Sequence, residues 1–496
     1  MSPSFGDECG SRGSRAFAMT RVKKELEELP LLLDSASGLA REWLDALPSR
    51  RAGALASADE LRESLEGNLS ENGEAATKVV QNFSRSVEPG LVASPGPRYF
   101  GFVTGGSLPA ALVADWLASA WDQNGFLYAS SPAIAVAEEI VASWVLDLLG
   151  LPPESSVGFV SGCQMANFTA LAAARHEVLR GTGWDVESDG LSGAPRITVV
   201  AGEEAHGTIF TALRMLGLGE KNVILVPTDG QGRMIPDALR EALKNVSGPL
   251  IVCLQSGNLN TGAFDPCGEL IPLAREKGAW VHVDGAFGLW GLLLPELEQH
   301  TAGIALADSW ATDAHKWLNV PYDSGLVMVR NAEAHGGAMM VKAPLLAPGE
   351  DLRDPSAWVP ESSRRGRVFP LYCALRSLGR SGLSEMVARN CAQARLFASL
   401  LGDDPLIEIL NDVVLNQVLV AFRPPEGVDA DEFTRRVIAA VQREGTCWAG
   451  GNVRKGRAVM RISVSNWSTE EEDIRLSAAA IRRVLSGELE SVRRGS

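Results

Sequence analysis

The runs VHVDGAFGLW (residues 281–290) and DSWATDAHKWLNVPYDSG (residues 308–325) decide how this chain folds. In each of them a chemically reactive residue lies next to an apolar stretch. Asp284 ends the apolar stretch that begins at Trp280, and Lys316 precedes the apolar stretch 325–329. Between about 157 and 330, short apolar runs alternate with segments of helical periodicity. This alternation predicts an α/β domain with a mostly parallel sheet covered by helices on both faces. The predicted strands are Val157–Val160, Ile197–Ala201, Asn222–Pro227, Leu250–Leu254, Trp280–Val283 and Leu326–Val329.

Asp284 and Lys316 each have an ordinary explanation when taken alone. Asp284 could be a turn or helix-cap residue, and Lys316 could be a solvated surface lysine. Lys316, however, adjoins Trp317 and an apolar strand, and a lysine held as an imine tolerates burial. Pyridoxal phosphate (PLP) needs one amine to form that imine and one anion to pair with its protonated ring nitrogen. Together the two residues predict a PLP site at the carboxyl ends of the strands.

The bulk composition excludes several classes of protein. The chain has 496 residues, of which 46% are hydrophobic, so it can bury one large and one smaller domain. Its formal charge of −15 opposes binding to nucleic acid, which requires clustered Lys and Arg. Seven scattered cysteines without metal-ligand spacing argue against disulfides and metal sites. No signal peptide or membrane span is visible, so we expect a cytoplasmic protein.

Four segments are expected along the chain. They are an N-terminal helical segment (1–97, its first 18 or so residues disordered), a large PLP-binding domain (98–345), a proline-rich lid or connection (346–368) and a small α+β domain (369–496). Within the first segment, helices are predicted at 21–29 and 36–47. The last helix is predicted to begin with a Ser468–Glu471 capping box and to end at Gly487.

Two further motifs suit a bound cofactor. The run SGCQMAN (161–167) predicts a small-residue turn followed by a helix, whose free N–H groups would suit a phosphate lined by Cys163 and Gln164. An ordinary strand-to-helix turn is the alternative. His206 follows the strand Ile197–Ala201 directly, so it is expected at the same crevice. A lone histidine is often structural, but an imidazole here could stack on a cofactor ring or move a proton.

Five motifs in order resemble the group II decarboxylases among the fold-type I PLP enzymes. They are SGCQMAN (161–167), EEAHGTIF (203–210), LNTGAFDP (259–266), HVDGAFG (282–288) and DAHKW (313–317). The stretches PRYFGFVTGGSLPAALVADWL (97–117) and MRISVSNW (460–467) extend the resemblance over most of the chain. The resemblance implies a seven-stranded sheet, a homodimer and decarboxylation of an L-amino acid through a quinonoid intermediate.

The resemblance also implies a role for each matching residue. Lys316 is implied as the Schiff-base lysine, Asp284 as the partner of the pyridine nitrogen, and Ala286 and His206 as contacts to the two ring faces. Cys163, Gln164 and His315 match phosphate contacts, and His206 joins Lys316 and Asp284 among the catalytic candidates. Thr104 matches a residue that lines the substrate carboxylate pocket. The pocket candidates Phe102, Phe126, Tyr128 and Trp448 favour an aromatic substrate, although aromatics at such positions also serve as packing.

Two features leave alternatives open. The lid stretch 342–361 contains no tyrosine, although amine-forming relatives use one, so His206, Lys316 or a group from the partner subunit's lid could return the proton. Arg461 could be structural or could bind a substrate carboxylate, as an arginine does in transaminases. Transamination, oxidative deamination to an aldehyde and lyase chemistry are therefore alternatives. A catalytically silent relative that acts as a binding subunit is another.

Overall fold

The computed structural model describes residues 12–69, 71–340 and 352–495. The chain forms two compact units, Met1–Ala93 and Ser94–Ser496. The predicted segment boundary at residue 97 lies near this division. Residues 346–351 of the predicted lid lie outside the described residues, as do residues 1–11 of the predicted disordered leader.

The first unit is helical. Its helices are α1 (Arg12–Ala46), α2 (Ala58–Leu65) and α3 (Ala76–Val87). The sequence predicts disorder to about residue 18 and then two helices, whereas α1 is one helix that begins at Arg12 and continues through Pro30. Strong helix formers on both sides of Pro30 compensate for the one backbone donor that the proline removes. A capping box between Ser57 and Glu60 starts α2.

The second unit is built on a seven-stranded sheet. Its strands are β1 (Ser156–Val160), β2 (Thr198–Gly202), β3 (Val223–Val226), β4 (Leu250–Gln255), β5 (Trp280–Asp284), β6 (Ser309–Asp313) and β7 (Gly325–Val329). They lie in the order β1-β7-β6-β5-β4-β2-β3. Only β7 runs antiparallel to its neighbours, so the predicted mostly parallel sheet is confirmed. The sequence prediction missed β6, because SWATD lacks a run of β-branched residues.

Helices cover both faces of this sheet. They are α4 (Pro109–Trp121), α5 (Pro132–Leu149), α6 (Cys163–Arg180), α7 (Val186–Asp189), α8 (Gly207–Met215), α9 (Pro236–Leu243), α10 (Cys267–Arg275), α11 (Glu298–Thr301) and α12 (Ala332–Met339). Neighbouring residues of β4 belong to opposite cores, with Val252 in one and Ile251 in the other. Burial on both faces explains why the strands read as continuous apolar runs.

The rest of the chain forms a smaller α+β domain, as predicted. It comprises α13 (Val368–Gly402), β8 (Ile407–Ile409), β9 (Gln417–Phe422), α14 (Ala430–Glu444), β10 (Gly450–Arg454), β11 (Arg457–Ser463) and α15 (Glu471–Gly495). Its antiparallel sheet has the order β10-β11-β9-β8. In the described part of the chain, every helix is too short or too polar to cross a bilayer.

Both predicted ends of α15 are wrong. Ser468 bonds Asn466 instead of capping the helix, and the Asp473 carboxylate accepts the N–H of Glu470 at 3.0 Å. The helix also continues past Gly487 to Gly495. The apolar stripe extends to the buried Leu489, and its burial offsets the roughly 1 kcal/mol that a mid-helix glycine costs.

Candidate active site

The carboxyl ends of three strands meet at one edge of the large sheet. Strands β5 and β6 are parallel neighbours and end at Asp284 and Asp313. Strand β1 points the same way and leads through Gly162 into α6, which begins at Cys163. Lys316 follows β6 by three residues. The fold therefore brings the lysine, two carboxylates and a helix N-terminus to one edge of the sheet.

The Asp284 carboxylate is buried and accepts three hydrogen bonds. Its Oδ1 accepts the amide of Ala286 at 3.2 Å and the thiol of Cys163 at 3.4 Å, and its Oδ2 accepts Nδ2 of Asn167 at 3.2 Å. Burial raises the pKa of the Cys163 thiol well above its ordinary value, and Asp284 and Asp313 raise it further. Cys163 therefore remains a thiol and donates to Asp284.

A buried polar chain behind Asp284 fixes its orientation. His282 bonds Oδ1 of Asn167 through Nε2 at 2.9 Å and Oγ of Ser309 through Nδ1 at 2.9 Å. Burial lowers the pKa of His282 to about 4, so the ring is neutral at pH 7. Since Asn167 Oδ1 can only accept, Nε2 carries the proton and Nδ1 accepts from Ser309. The amide of Asn167 is thereby turned so that its NH₂ group faces Asp284.

Lys316 is paired with a second buried carboxylate. Its Nζ lies 2.9 Å from Asp313 Oδ2, while Asp313 Oδ1 accepts the backbone N–H of Cys163 at 2.5 Å. Burial by itself lowers the pKa of Lys316, but the groups around it, Asp313 foremost, together more than offset this, so the pKa lies above its ordinary value. Cys163 thus lies between the two carboxylates, with its amide on Asp313 and its thiol on Asp284.

The start of α6 forms a cradle that fits a phosphate. Asp313 takes the amide of Cys163 at the start of this helix, the N-cap residue Gly162 offers no side chain for the amides that follow, and Gln164 lies exposed in the first turn. A Cβ added at Gly162 would lie 3.2 Å from the ring of His315, so the backbone and that ring are already in close approach. His315 Nδ1 is buried and has no hydrogen-bond partner among the described residues. Free amides, an unpartnered imidazole nitrogen and Lys316 are the donors that a PLP phosphate and aldehyde require.

His206 is linked to Asp284 through side chains. It precedes α8, and its Nδ1 accepts the N–H of Thr208 at 3.3 Å and lies 2.8 Å from the Thr208 hydroxyl. That hydroxyl accepts Nδ2 of Asn167 at 3.2 Å. Burial lowers the pKa of His206, so the ring is neutral at pH 7 with its proton on Nε2. His206 and Asp284 line one cleft.

The predicted substrate residues separate into two groups. Thr104 is buried and close enough to Tyr322 to act on the pKa of its phenol, and the ring of Tyr322 lies 4.5 Å from that of His315. Phe102 is 62% exposed and lies 5.3 Å from the ring of Trp448. Phe126 and Tyr128 form a second group. Their backbones bond residues 354–356: the carbonyl of Phe126 accepts the amide of Ser356 at 3.0 Å, and the amide of Tyr128 donates to Asp354 at 2.8 Å.

Arg461 is a buried cation near His206. Its Nη1 lies 3.4 Å from the carbonyl of Leu259, and burial lowers its pKa to about 10. Its charge also lowers the pKa of His206. The arginine therefore belongs to the surroundings of the site.

Asn319 holds the lysine segment in place. Its buried side chain accepts the amides of Gly106 at 2.6 Å and Trp467 at 3.1 Å, and donates to the carbonyls of Trp317 at 2.9 Å and Ser465 at 3.0 Å. It thereby ties the segment after Lys316 to the Thr104 loop and to the small domain. Its backbone adopts a φ of 53°, a conformation that asparagine tolerates better than most residues.

Sequence reasoning missed four residues of the site, namely Asn167, His282, Asp313 and Tyr322. Two of them carried a usable signal, because Asp313 ends β6, where polar residues serve ligands, and His282 is a polar residue in the middle of the apolar strand β5. Asn167 and Tyr322 carried none. Their importance arises from contacts with residues far away in sequence.

Several known proteins resemble this chain in sequence and fold. A family model described as the pyridoxal-dependent decarboxylase conserved domain matches residues 59–424. Tryptophan decarboxylase 1 of Oryza sativa subsp. japonica is 29% identical, over 82% of this chain and 83% of that protein. The 4-hydroxyphenylacetaldehyde synthase of Rhodiola rosea is 28% identical, over 81% of this chain and 84% of that protein. A crystal structure of Oryza sativa TDC with PLP and tryptamine superimposes with a TM-score of 0.87 at 25% identity, covering 93% of this chain and 98% of that one.

Proposed function

Because the chain belongs to the pyridoxal-dependent decarboxylase family, we propose that it removes the alpha-carboxylate of an aromatic L-amino acid. Members of this family are PLP-dependent carboxy-lyases. One observation carries the proposal for this chain. Cys163 bridges Asp313, the partner of Lys316, to Asp284, so that an amine and a carboxylate lie in one crevice. That is the pair of groups that PLP chemistry requires.

Different site residues would hold different parts of the cofactor. Lys316 would hold it covalently, Asp284 would pair with its ring nitrogen, and the start of α6 with His315 would hold its phosphate. When bound, the cofactor withdraws the electrons released at the substrate's alpha carbon. Asp284 would sustain this withdrawal, because Asn167, Cys163 and the amide of Ala286 fix the position of its carboxylate. Ala286 and the neutral His206 would flank the ring.

The cofactor assignment is tested with Lys316→Ala. The wild-type protein should show the visible absorbance band of a PLP imine, and the variant should lack it. Lys244→Ala is the matched control, because Lys244 pairs with Glu241 on a solvated surface. A band that persists in Lys316→Ala, or a wild-type protein that stays colourless when supplied with PLP, would contradict the assignment.

The aromatic preference has two supports. The relatives compared above include a tryptophan decarboxylase and a 4-hydroxyphenylacetaldehyde synthase. In this chain, Trp448 stacks on Tyr99 with 5.0 Å between the ring centroids, and it also lies beside Phe102. Phe102 is close to Thr104 in sequence. Aromatic side chains offer such a surface several contacts through their faces. A screen of the standard amino acids for carbon dioxide release should rank tryptophan, tyrosine and phenylalanine first, and faster release from glutamate would overturn the preference.

A second candidate function is aldehyde formation. The stretch 342–361 contains no tyrosine, and the relatives include the 4-hydroxyphenylacetaldehyde synthase of Rhodiola rosea and the phenylacetaldehyde synthase of Arabidopsis thaliana. Product analysis separates the two functions, since a decarboxylase releases an amine and an aldehyde synthase releases an aldehyde with ammonia. Transamination, for which Arg461 is the supporting feature, would instead require a keto-acid acceptor.

The protein is further proposed to be a homodimer. Helix α4 presents Val113, Trp116, Leu117 and Trp121, each more than 40% exposed, at the spacing of one helix face. Sedimentation of the wild-type protein should give twice the mass of one chain, and Trp116→Glu should give monomers. Leu476→Glu on α15 is the control, because Leu476 is equally exposed but isolated. A wild-type protein that sediments as a monomer would overturn the proposal.

A further inference from the structure

Decarboxylation leaves the alpha carbon in need of a proton, and Tyr322 is positioned to give it. We propose that the Tyr322 phenol is the acid that protonates this carbon, a role that rests on the proposed amine-forming function. Tyr322 lies six residues after Lys316, and its ring lies 4.5 Å from that of His315, the neighbour of the lysine. It is close enough for the charge of Lys316 to lower its pKa.

The phenol of Tyr322 lies beside the side chain of Thr104, which acts to lower its pKa. Although 60% of the residue is exposed, the surrounding protein raises its pKa, and this effect outweighs the opposing effects of Thr104 and Lys316. The phenol therefore keeps its proton at neutral pH. Its open side allows the proton to be replaced from water after each turnover.

The backbone around Tyr322 is fixed to the lysine segment. The carbonyl of Ser324 accepts the amides of Ala314 at 3.1 Å and His315 at 3.2 Å. The carboxylate of Asp323 receives two bonds from Arg367, at 3.1 and 3.2 Å. A catalytic acid must be held in place by its neighbours, and these contacts supply that support.

The other acids at the site are less suited to this step. The ammonium of Lys316 is turned towards Asp313, and His206 is neutral with its Nδ1 occupied by Thr208. The step itself balances simply. The bond between the alpha carbon and the carboxyl carbon breaks, leaving its electron pair on the alpha carbon, and the phenol O–H gives its proton to that carbon. Water then reprotonates the phenolate, so one amino acid and one proton yield one amine and carbon dioxide.

The proton step can be isolated by supplying the product. The amine chosen is the product of the standard amino acid that is decarboxylated fastest. It is incubated with the holoenzyme in D₂O, and exchange of its alpha hydrogen is followed by NMR. Tyr322→Phe should slow this exchange by about 100-fold, the lower range for a general acid, while the absorbance band of the bound cofactor is unchanged. Tyr372→Phe is the control, because it removes a phenol that packs against Trp144 and has no role in the site, and its exchange should stay within about twofold.

The outcomes separate this inference from the proposed function. If the wild-type protein releases carbon dioxide from no amino acid, the proposed function fails and the role of Tyr322 fails with it. If it forms an amine and Tyr322→Phe exchanges at the wild-type rate, only the role of Tyr322 is overturned. An aldehyde as the sole product also overturns it. Tyr322→His, which restores an acid, should recover part of the exchange with its optimum at lower pH.

Discussion

At the scale of single residues, the charge of Asp284 matters more than its shape. Asp284→Asn keeps the size of the side chain but removes the negative charge that pairs with the ring nitrogen. Lys316 is untouched, so the visible band of the bound cofactor should persist. Turnover should fall by about 100-fold or more, as when other preorganised electrostatic groups are removed. Steady-state kinetics together with the absorbance spectrum checks this prediction.

The matched control for Asp284→Asn is Asp308→Asn. Asp308 is a partly buried carboxylate at the opposite end of the same strands, where it accepts the amide of Val281 at 2.7 Å. Its replacement should leave turnover intact. Equal losses in the two variants would mean that the effect is structural, and undiminished turnover in Asp284→Asn would remove the reason for placing the ring nitrogen beside it.

At the scale of elements, α15 contains a position that can be improved. Gly487 lies inside the helix on its exposed side, its φ is ordinary, and a Cβ added there would meet no atom within 4 Å. Gly487→Ala should therefore raise the free energy of unfolding by about 0.5–1 kcal/mol. Denaturant titration measures the change.

Gly445 provides the opposite case. It ends α14 with a φ of 88°, a conformation in which alanine is strained. Gly445→Ala should lower the stability that Gly487→Ala raises. If the two substitutions changed the free energy of unfolding equally, α15 would not be helical at residue 487.

At the scale of the whole second unit, two buried histidines make stability depend on pH. Burial lowers the pKa of His282 to about 4 and that of His335 to about 3, from an ordinary value of 6.5. The unfolded chain therefore binds protons below pH 6.5 that the folded chain does not. The free energy of unfolding is therefore highest above pH 6.5. As the pH falls towards 4, it decreases by about 1.4 kcal/mol per pH unit for each histidine.

Replacing His335 tests this pH dependence outside the catalytic site. His335→Gln removes one of the two titrating rings, so the difference in unfolding free energy between pH 6.5 and pH 4.5 should shrink by about 2 to 3 kcal/mol. Urea titrations at the two pH values measure it. His300→Gln, at an exposed position on α11, is the control. An unchanged difference in His335→Gln would contradict the prediction.

The sequence predicted the parts of this unit that depend on local pattern. Six strands are visible as apolar runs because both faces of the sheet are buried, and family order identified Lys316 and Asp284. Strand β6 escaped because its burial comes from neighbours on both sides and not from its own composition. Asn167 and Tyr322 escaped for a similar reason, since neither has a local signature. Asn167 bonds Asp284, which lies 117 residues further along the chain. Tyr322 lies near Thr104, which is also distant in sequence.

The side-chain amide of Asn319 affects which parts of this fold can be exchanged with those of a relative. The four nitrogen and oxygen atoms it bonds belong to the main chain, and the two from the small domain are the carbonyl of Ser465 and the amide of Trp467. Any residue supplies that carbonyl, and any except proline supplies that amide. A hybrid in which the carboxy-terminal third comes from a relative would therefore keep this junction. Asn319 itself has to be inherited together with the lysine.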